Sequence, residues 1–445
     1  MSEYFGGDTA REGAIDGLLS VSGGEAGSAG NGGNTGDAGN GGNADNTGDA
    51  CIAGNAFNSV TSVIGKHYAS GLVVRIHMRN GVIAEVEPLP EYRACGEELP
   101  FVGPGLVDLH INGYAGMDVN EEQPQTETLK RMSRAVWKEG VTAFCPTIVT
   151  NSDVQYRLML QNITQACRED PAANAAMPGI HVEGPFISPE DGARGAHPLQ
   201  HVTAPDWTMF QRWQEAAEGR IKLITLSPEW PESLSFIERC VKSGVIVSIG
   251  HTSASPRQIA DAIAAGATLS THLGNGAHLT LPRHPNYIWE QLSSDSLHAC
   301  VIADGFHVPA SFLNVARKTK REKLILVSDA VKYSGMEPGE YDNPLIGEVV
   351  LTSEGRLHLK RNAQLLAGSA QMLPHCIAHM VKHRICGLAE AWESASVVPS
   401  GLMGWSASQG LSAGAPADLV LFRWDGERLD IEATFKNGIN VFTRK

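Results

Sequence analysis

The central part of the chain alternates short apolar runs with stretches of helical hydrophobic spacing. The runs, rich in β-branched residues, are GLVDLHIN from Gly105, TAFCPTIV from Thr142, PGIHVEG from Pro178, KLITLSPE from Lys222, VIVSIGH from Val245, ATLSTHL from Ala267, ACVIADG from Ala299 and LILVSDA from Leu324. Each run except the last leads into a stretch of helical spacing, such as TLKRMSRAVWKEG, FQRWQEAAEG or PRQIADAIAAG, and several of these end in glycine as a helix C-cap does. Strands that alternate with helices form a parallel sheet, and this number of repeats predicts an α/β fold closed as a (β/α)8 TIM-like barrel.

The segments on either side of this region have a different pattern, which is rich in residues that favour β-strands. VVRIHMRNGVIAEVEPL begins at Val73, and ADLVLFRWDGERLDIEATFKNGINVF begins at Ala417. Both contain Asn-Gly or Asp-Gly pairs, which favour tight hairpins. We therefore predict a small β-sandwich domain built from both chain ends. Its approximate segments are residues 55–102, 345–365 and 410–445, and the barrel takes 103–344 and 366–409.

The head of the chain is of low complexity. Residues 22–54 are dominated by Gly, Asn, Ala and Asp, and they repeat NGGN and TGDA imperfectly. Such a composition cannot bury a hydrophobic core. We predict that residues 1–54 are a disordered extension outside the fold.

Composition narrows the class of protein. The 35 basic and 49 acidic side chains give a net charge of −14, which opposes binding to nucleic acid or to anionic membranes. No apolar run is long enough to span a bilayer, and the first residues do not resemble a signal peptide, so we expect a cytoplasmic protein. Eight scattered cysteines without a CxxC pair are expected to be reduced thiols. They are Cys51, Cys95, Cys145, Cys167, Cys240, Cys300, Cys376 and Cys386.

Polar residues are concentrated where the apolar runs end. These residues are His110 and Asn112, Glu183, His251, His272, Asp304 with His307 just beyond, and Asp329. Barrel enzymes place their chemistry at the C-terminal ends of the strands. A charged side chain there is costly to bury unless it is paired, hydrogen-bonded or bound to a metal. These ends are therefore the candidate functional site.

Glu183, His251 and His272 provide one carboxylate and two imidazoles, a set suited to Zn²⁺ with coordination positions left for water. Asp329 would then be free to act as a base. Taken singly, either histidine could be a satisfied core residue, and Asp329 could cap the following helix. The concentration of all four at strand ends favours the metal site.

Seven motifs follow one another along the chain: PGLVDLHINGYAG, HVEGPFISPEDGARGAHP, SIGHTSAS, THLGNGAH, IADGFHVP, LVSDA and LAGSA. In this order they resemble the motifs of the N-acetylglucosamine-6-phosphate deacetylases in the amidohydrolase superfamily, and the resemblance spans roughly residues 73–440. HVEGP with its trailing GAHP is the most family-specific element. The first-strand motif and the Asp-Ala at 329–330 are shared widely across the superfamily.

The resemblance implies a role for each matching position. Glu183, His251 and His272 match the metal ligands and Asp329 the catalytic acid and base, while His307 would stabilise the oxyanion. The substrate contacts fall on Ala196, His197, Asn275, Gly276, Arg283, Asp304, His307, Leu366, Ala367 and Gly368. The implied cofactor is one divalent ion, Zn²⁺ in the first place, with Fe²⁺ or another divalent ion as the alternative. The implied assembly is a homodimer.

The chain departs from the family pattern at two places. Many relatives carry HxH on the first strand, whereas this chain has His110-Ile111-Asn112, and an Asn is a poor ligand; we expect a vestigial second-metal site there. After the sixth run, Gly274 replaces an aromatic residue, Gly276-Ala277 replaces Ala-Met, and Arg283-His284-Pro285-Asn286 replaces REPG. The chain is thus a divergent member, and the second change bears on substrate identity.

The function predicted from this resemblance is hydrolysis of N-acetylglucosamine 6-phosphate to glucosamine 6-phosphate and acetate, with a small-molecule amino sugar phosphate as the only partner besides the second subunit. Another amidohydrolase activity, on an N-acylamino acid or a cyclic amide, is the alternative, because fold alone does not separate these activities. A catalytically inactive barrel used as a scaffold is the alternative from a different class. Retention of Glu183, His251, His272 and Asp329 argues against it.

Overall fold

The computed structural model describes residues 61–92, 98–343 and 347–445. The predicted extension over residues 1–54, the first residues of the predicted β-domain and the thiols Cys51 and Cys95 lie outside the described residues. The six cysteines within them are free. No helix in the described ranges combines the length and the apolar character that crossing a membrane requires.

The strands, in chain order, are β1 (Thr61–His67), β2 (Val73–Arg79), β3 (Val82–Pro88), β4 (Phe101–Pro104), β5 (Leu106–Ile111), β6 (Gly113–Tyr114), β7 (Met117–Asp118), β8 (Val141–Val149), β9 (Ile180–Glu183), β10 (Ile221–Leu226), β11 (Ile246–Ile249), β12 (Leu269–Ser270), β13 (His298–Val301), β14 (Leu324–Leu326), β15 (Gly339–Tyr341), β16 (Val349–Leu351), β17 (Leu357–Leu359), β18 (Asn362–Leu366), β19 (Leu419–Trp424), β20 (Leu429–Lys436) and β21 (Ile439–Thr443). The α-helices are α1 (Thr126–Ala135), α2 (Asp153–Glu169), α3 (Pro171–Ala176), α4 (Trp207–Ala216), α5 (Ser233–Lys242), α6 (Pro256–Ala264), α7 (Tyr287–Ser293), α8 (Ala310–Lys320), α9 (Leu373–Lys382), α10 (Leu388–Glu393) and α11 (Val397–Leu402). Short 3-10 turns lie at Val136–Glu139, Leu199–His201, Arg321–Lys323 and Ser406–Gln409.

The eight predicted runs form one parallel sheet in the order β14-β13-β12-β11-β10-β9-β8-β5. The first and last strands meet, because the amide of Asn112 donates to the carbonyl of Ala330 at 2.8 Å and Ile111 bridges Ala330 in parallel. Each barrel strand from β5 to β13 is separated from the next barrel strand by at least one α-helix. The predicted (β/α)8 barrel is therefore confirmed.

The helices that surround the barrel begin where the sequence supplies capping groups. The Ser255 hydroxyl accepts a hydrogen bond from the backbone amide of Gln258, and the side-chain oxygen of Gln258 accepts one from the backbone amide of Ser255. This reciprocal capping satisfies amides at the helix start that have no partner inside the helix. The apolar faces then pack outside the barrel, where Trp213 stacks on Tyr156 with ring centroids 4.4 Å apart.

The barrel interior is apolar toward the N-terminal ends of its strands. Buried side chains from several strands fill it, including Val107, Leu223 and Ile325. Trp405 packs against this cluster, and it also approaches Gly179, which directly precedes β9. This end of the barrel is therefore closed, and polar chemistry is confined to the opposite end.

Both chain ends meet in a second sheet, as predicted. Its order is β21-β20-β19-β4-β1-β2-β3, so strands from residues 61–104 and 419–443 hydrogen-bond to one another. Trp392 on α10 connects this sheet to the barrel. It is fully buried, it stacks on Phe422 of β19 with centroids 4.1 Å apart, and its indole N–H donates to the carbonyl of Pro104 at 3.0 Å.

A separate antiparallel sheet follows the last barrel strand. β15, β16, β17 and β18 pair in sequence order, and none of them pairs with the seven-stranded sheet within the described residues. The sequence-based division grouped residues 345–365 with the two chain ends. Consecutive strands joined by short turns instead pair locally, around a small core that includes Tyr333, Val349 and Leu357. The domain boundaries themselves stay a prediction.

Candidate metal centre and active site

Three buried side chains converge at the C-terminal end of the barrel. Glu183 is the last residue of β9, and His251 and His272 each lie two residues beyond β11 and β12. Oε1 of Glu183 lies 3.2 Å from Nε2 of His251 and 3.0 Å from Nε2 of His272. The two Nε2 atoms are 3.1 Å apart. The predicted ligand set is thus brought together.

The donor set fits a divalent ion. Atoms that share a tetrahedral Zn²⁺ at ~2.0–2.2 Å lie roughly 3.3 Å from one another, close to the spacing of these three atoms. Nδ1–H of His251 donates to the carbonyl of Ala193 at 3.1 Å, which leaves the lone pair on Nε2. This is a group of the kind that holds a divalent metal, with one carboxylate oxygen and two imidazole nitrogens buried together.

Asp329 lies beside the cluster, and His110 links it to Glu183. Nε2 of His110 is 3.1 Å from Oδ1 of Asp329 and 3.3 Å from Oε2 of Glu183. Burial alone would lower the pKa of His110, but the carboxylates of Asp329 and Glu183 outweigh it and raise this pKa to about 9. Burial likewise raises the pKa of Glu183, yet the positive charge of His110 and the hydrogen bonds of the imidazoles hold it well below its usual value.

Asn112 contacts Asp329 through its amide donor. Nδ2 of Asn112 donates to Oδ1 of Asp329 at 2.7 Å. A second imidazole at this position could offer a lone pair to a metal, whereas the amide group instead orients a carboxylate. The geometry agrees with the expectation of a vestigial second-metal site, which itself stays a prediction.

His197, a predicted substrate contact, lies against the cluster. Its ring centroid is 4.3 Å from that of His251, and its Nδ1 lies 2.7 Å from the hydroxyl of Thr150. Burial lowers the pKa of His197 to about 3, so this ring is neutral at physiological pH. Ala196 beside it is exposed. Sequence reasoning missed Thr150, although a polar residue directly after β8 was the available signal.

The buried Asp304 and the partly buried His307 form a hydrogen-bonded pair. Nδ1–H of His307 donates to Oδ2 of Asp304 at 2.7 Å, and Oδ1 of Asp304 accepts from the amides of Phe306 and His307. Burial opposes both charges, but the pairing outweighs it. The pKa of Asp304 is therefore lowered and that of His307 raised, and Asp329 adds to the latter shift.

The loop after β12 is packed against the metal cluster at one end. The amide of Asn275 donates to the carbonyl of His272 at 2.9 Å. A Cβ added to Gly276 would lie 2.6 Å from Nδ1 of His251, so the backbone here rests directly on the imidazole. A Cβ at Gly274 would meet the ring of Phe312 at 2.9 Å. Phe312 therefore occupies the space beside Gly274.

The remaining predicted substrate contacts are Arg283 and the segment 366–368. Arg283 is exposed, and it has no hydrogen-bond or ion-pair partner among the described residues. Leu366, Ala367 and Gly368 are partly buried, and the next residue, Ser369, bridges Ala330. The segment 366–368 therefore lies near Asp329, whereas no contact joins Arg283 to the metal cluster.

A polar layer below the cluster was missed from the sequence. Nε2 of His181 lies 2.7 Å from the hydroxyl of Thr225, which lies 2.7 Å from that of Thr271. Burial, followed by the charge of His110, lowers the pKa of His181 far below its usual value. The available signal was alternation, because residues two apart on β9 share one face and His181 precedes Glu183 by two.

Glu229 was also missed. Its carboxylate accepts hydrogen bonds from the hydroxyl of Ser188 at 2.9 Å, the hydroxyl of Ser227 at 2.7 Å and the amide of Ser253 at 2.9 Å. These serines lie on the loops after β9, β10 and β11. Glu229 therefore ties together the loops that follow Glu183 and contain His251.

Comparison with known proteins identifies relatives across most of the chain. A model of the amidohydrolase family matches residues 101–441. The N-acetylglucosamine-6-phosphate deacetylase of Homo sapiens is 32% identical over 359 residues, which cover 78% of this chain and 84% of that protein. The enzyme of the same name from Bacillus subtilis (strain 168) is 32% identical over 328 residues, 73% of this chain and 81% of its own.

A solved structure agrees with these relatives. It contains a variant of the N-acetyl-D-glucosamine-6-phosphate deacetylase of Mycobacterium smegmatis in complex with N-acetyl-D-glucosamine-6-phosphate. It superimposes with a TM-score of 0.74 at 26% identity and covers 83% of this chain and 95% of that chain.

We expect one tightly held divalent ion per chain, because Asn112 offers an amide where a second site would need an imidazole. Elemental analysis after dialysis against metal-free buffer measures the content. Glu183→Gln should lose the ion, since it removes the charge of the carboxylate ligand, whereas Glu215→Gln on the exposed face of α4 should keep it. Two ions held in the barrel after dialysis would contradict the prediction.

Proposed function

This chain belongs to the amidohydrolase family, and we propose that it hydrolyses the N-acetyl amide of N-acetylglucosamine 6-phosphate to give glucosamine 6-phosphate and acetate. The observation that carries the proposal is the buried cluster of Glu183, His251 and His272 with the Asp329 carboxylate beside it. The names of the relatives, matched over most of both chains, support this substrate.

Glu183, His251 and His272 would hold one divalent ion, for which Zn²⁺ suits the mixed oxygen and nitrogen donors and Fe²⁺ is the alternative. A bound ion supplies Lewis-acid chemistry, which lowers the pKa of water and polarises a carbonyl. The protein contributes the placement of three ligand atoms and a buried surrounding that excludes bulk solvent.

Asp329 would act first as base and then as acid. Oδ1 is held by the amide of Asn112 and faces His110, while Oδ2 has no hydrogen-bond partner among the described residues. Oδ2 can therefore take the proton of the attacking water. The same carboxyl group can return that proton to the departing nitrogen, since the amine is a poor leaving group unless it is protonated.

His307 would stabilise the negative charge that develops on the carbonyl oxygen. Its Nδ1–H is committed to Asp304, and its raised pKa favours the protonated ring, so Nε2–H remains available as a donor. A preorganised donor aimed at a developing oxyanion is an effective form of stabilisation in a water-excluded site. Asp304 would thus hold His307 in its productive orientation.

The sugar phosphate would be recognised by the loops around this centre. Arg283 offers a planar, unpaired guanidinium suited to a phosphate, and Asn275 with the Gly276 amide lies close to the histidine ligands. His197, Ala196 and the segment 366–368 would contact the sugar. The proposal includes a homodimer on the strength of the family resemblance, and a cytoplasmic location, which the six free thiols support.

Acetate release tests the substrate directly. We expect N-acetylglucosamine 6-phosphate to be hydrolysed with a far higher kcat/KM than unphosphorylated N-acetylglucosamine, an N-acetylamino acid or a cyclic amide. Preference for one of the last two would replace the proposed activity with another of the same family. Absence of turnover with every substrate in metal-replete protein would favour the scaffold alternative.

Asp329→Asn should lower kcat by ~100- to 10,000-fold, the usual contribution of general acid–base catalysis. The amide keeps the shape of the carboxylate but cannot accept the proton. KM and metal content should change little, and Asp261→Asn on the outer helix α6 is the matched control. If the variant lost metal and excess metal restored its activity, Asp329 would be a ligand and the base would have to be sought elsewhere.

Arg283→Ala should raise KM for the 6-phosphorylated substrate and leave kcat nearly unchanged, because the guanidinium would bind a group remote from the reacting amide. Loss of a charge-assisted hydrogen bond costs ~1.5–3 kcal/mol, or roughly 10- to 150-fold in KM. Arg257→Ala, at an exposed position on α6, is the control. Equal impairment on phosphorylated and unphosphorylated sugars would show that Arg283 does not bind the phosphate.

A further inference from the structure

Helix α9 carries His375 and His379, and His383, the residue directly after the helix, continues the same four-residue spacing. Side chains four residues apart lie on the same face of a helix. The ring centroids of His379 and His383 are 4.2 Å apart, whereas those of His375 and His379 are 6.5 Å apart. The closely packed pair, His379 with His383, is not part of the cluster around Glu183.

His379 has a buried nitrogen that needs a partner. Its Nε2 is inaccessible to solvent, and it makes no hydrogen bond within the ranges that the structure describes. A buried polar atom left without a partner costs about 1–3 kcal/mol. The ring is held in place, because it packs on the backbone at Gly305, where an added Cβ would lie 2.9 Å from Cε1 of His379.

The protonation state of His379 suits a ligand. Burial chiefly, and then the neighbouring rings of His383 and His375, lower the pKa of His379 to about 4. The imidazole is therefore neutral at physiological pH, and a neutral imidazole is the form that binds metals. The nearby charge of Lys382 is paired with Glu427, which reduces its repulsion of a cation.

His383 and His375 differ in whether the ring is free to bind a metal together with His379. His383 is exposed, and no hydrogen bond to another described residue holds its ring, so the side chain can reorient toward His379. His375 instead has its Nε2 3.3 Å from the carbonyl of Asp304, to which it can donate. The second ligand is therefore His383 rather than His375.

We infer that His379 and His383 form a second divalent transition-metal site at the C-terminal end of α9, separate from the cluster of Glu183, His251 and His272. Two histidines at positions i and i+4 of a helix are a recurrent chelating arrangement, and imidazole donors suit Zn²⁺, Ni²⁺ and Cu²⁺. With two neutral ligands and no carboxylate, this site binds more weakly than the cluster of Glu183, His251 and His272.

Equilibrium dialysis of the full chain with Zn²⁺ tests this site without any assay of activity. Wild-type protein should bind a tight equivalent that survives metal-free dialysis and a weaker equivalent at higher free Zn²⁺. His379→Ala and His383→Gln should each weaken only the second equivalent, by at least ~10-fold, since even the loss of an outer-shell partner typically costs 10- to 100-fold. His375→Gln, on the same helix, should leave both equivalents intact.

Retention of the tight equivalent reports that each variant has kept its barrel. His383 is at an exposed position, so His383→Gln preserves the test even if His379→Ala fails to fold. The inference is overturned if wild-type protein binds no second equivalent, or if the second equivalent persists unchanged in His383→Gln. Neither outcome depends on the substrate of the enzyme.

Discussion

Two imidazole nitrogens, Nε2 of His251 and Nε2 of His272, lie 3.1 Å apart, and both lie within 3.2 Å of one carboxylate oxygen of Glu183. Two lone pairs directed at each other and at an anion repel, so this arrangement is stable only around a shared cation or a proton. Much of the surrounding structure holds these three atoms in place. The carbonyl of Ala193 fixes the tautomer of His251, and the backbone at Gly276 presses on its ring.

The backbone is strained at three residues of the candidate active site. His251, His272 and Asp329 have φ values of 49°, 26° and 50°, in a region that residues with side chains rarely adopt. Such conformations cost about 1–3 kcal/mol each and persist only where the surroundings enforce them. Glu229 supplies part of that enforcement, because it joins the loops after three consecutive strands. The strand ends therefore act as one rigid platform for the ligands.

The barrel and the centre of its site could be predicted from the sequence because both depend on local pattern. Each apolar run forms a strand of the barrel. Because the C-terminal ends of parallel strands lie at the same end of a barrel, Glu183, His251 and His272 lie close together. The separate sheet over residues 339–366 could not be assigned in this way, since β-rich segments do not specify which other strands they pair with. The contact between Thr150 and His197 joins two loops whose relative position only the folded chain defines. Arg283 shows the same limit, because its spacing from His272 does not determine where an exposed loop directs a guanidinium.

The loop after β12 contains, within a dozen residues, one part that packs against the metal ligands and another part that is exposed. Near His272 the backbone of this loop packs directly against the ligand histidines. Gly276 lies at φ 56° against His251, and a larger residue there would displace the imidazole that the metal requires. Further along, Arg283 and His284 are exposed, and no hydrogen bond or ion pair joins either side chain to the metal ligands among the described residues. Substitutions in this outer part can alter the recognition of the distal group of the substrate without moving a ligand. Divergence from the family pattern at residues 283–286 is therefore compatible with an unchanged hydrolytic centre, whereas a side chain at position 276 would require a different backbone conformation of the loop.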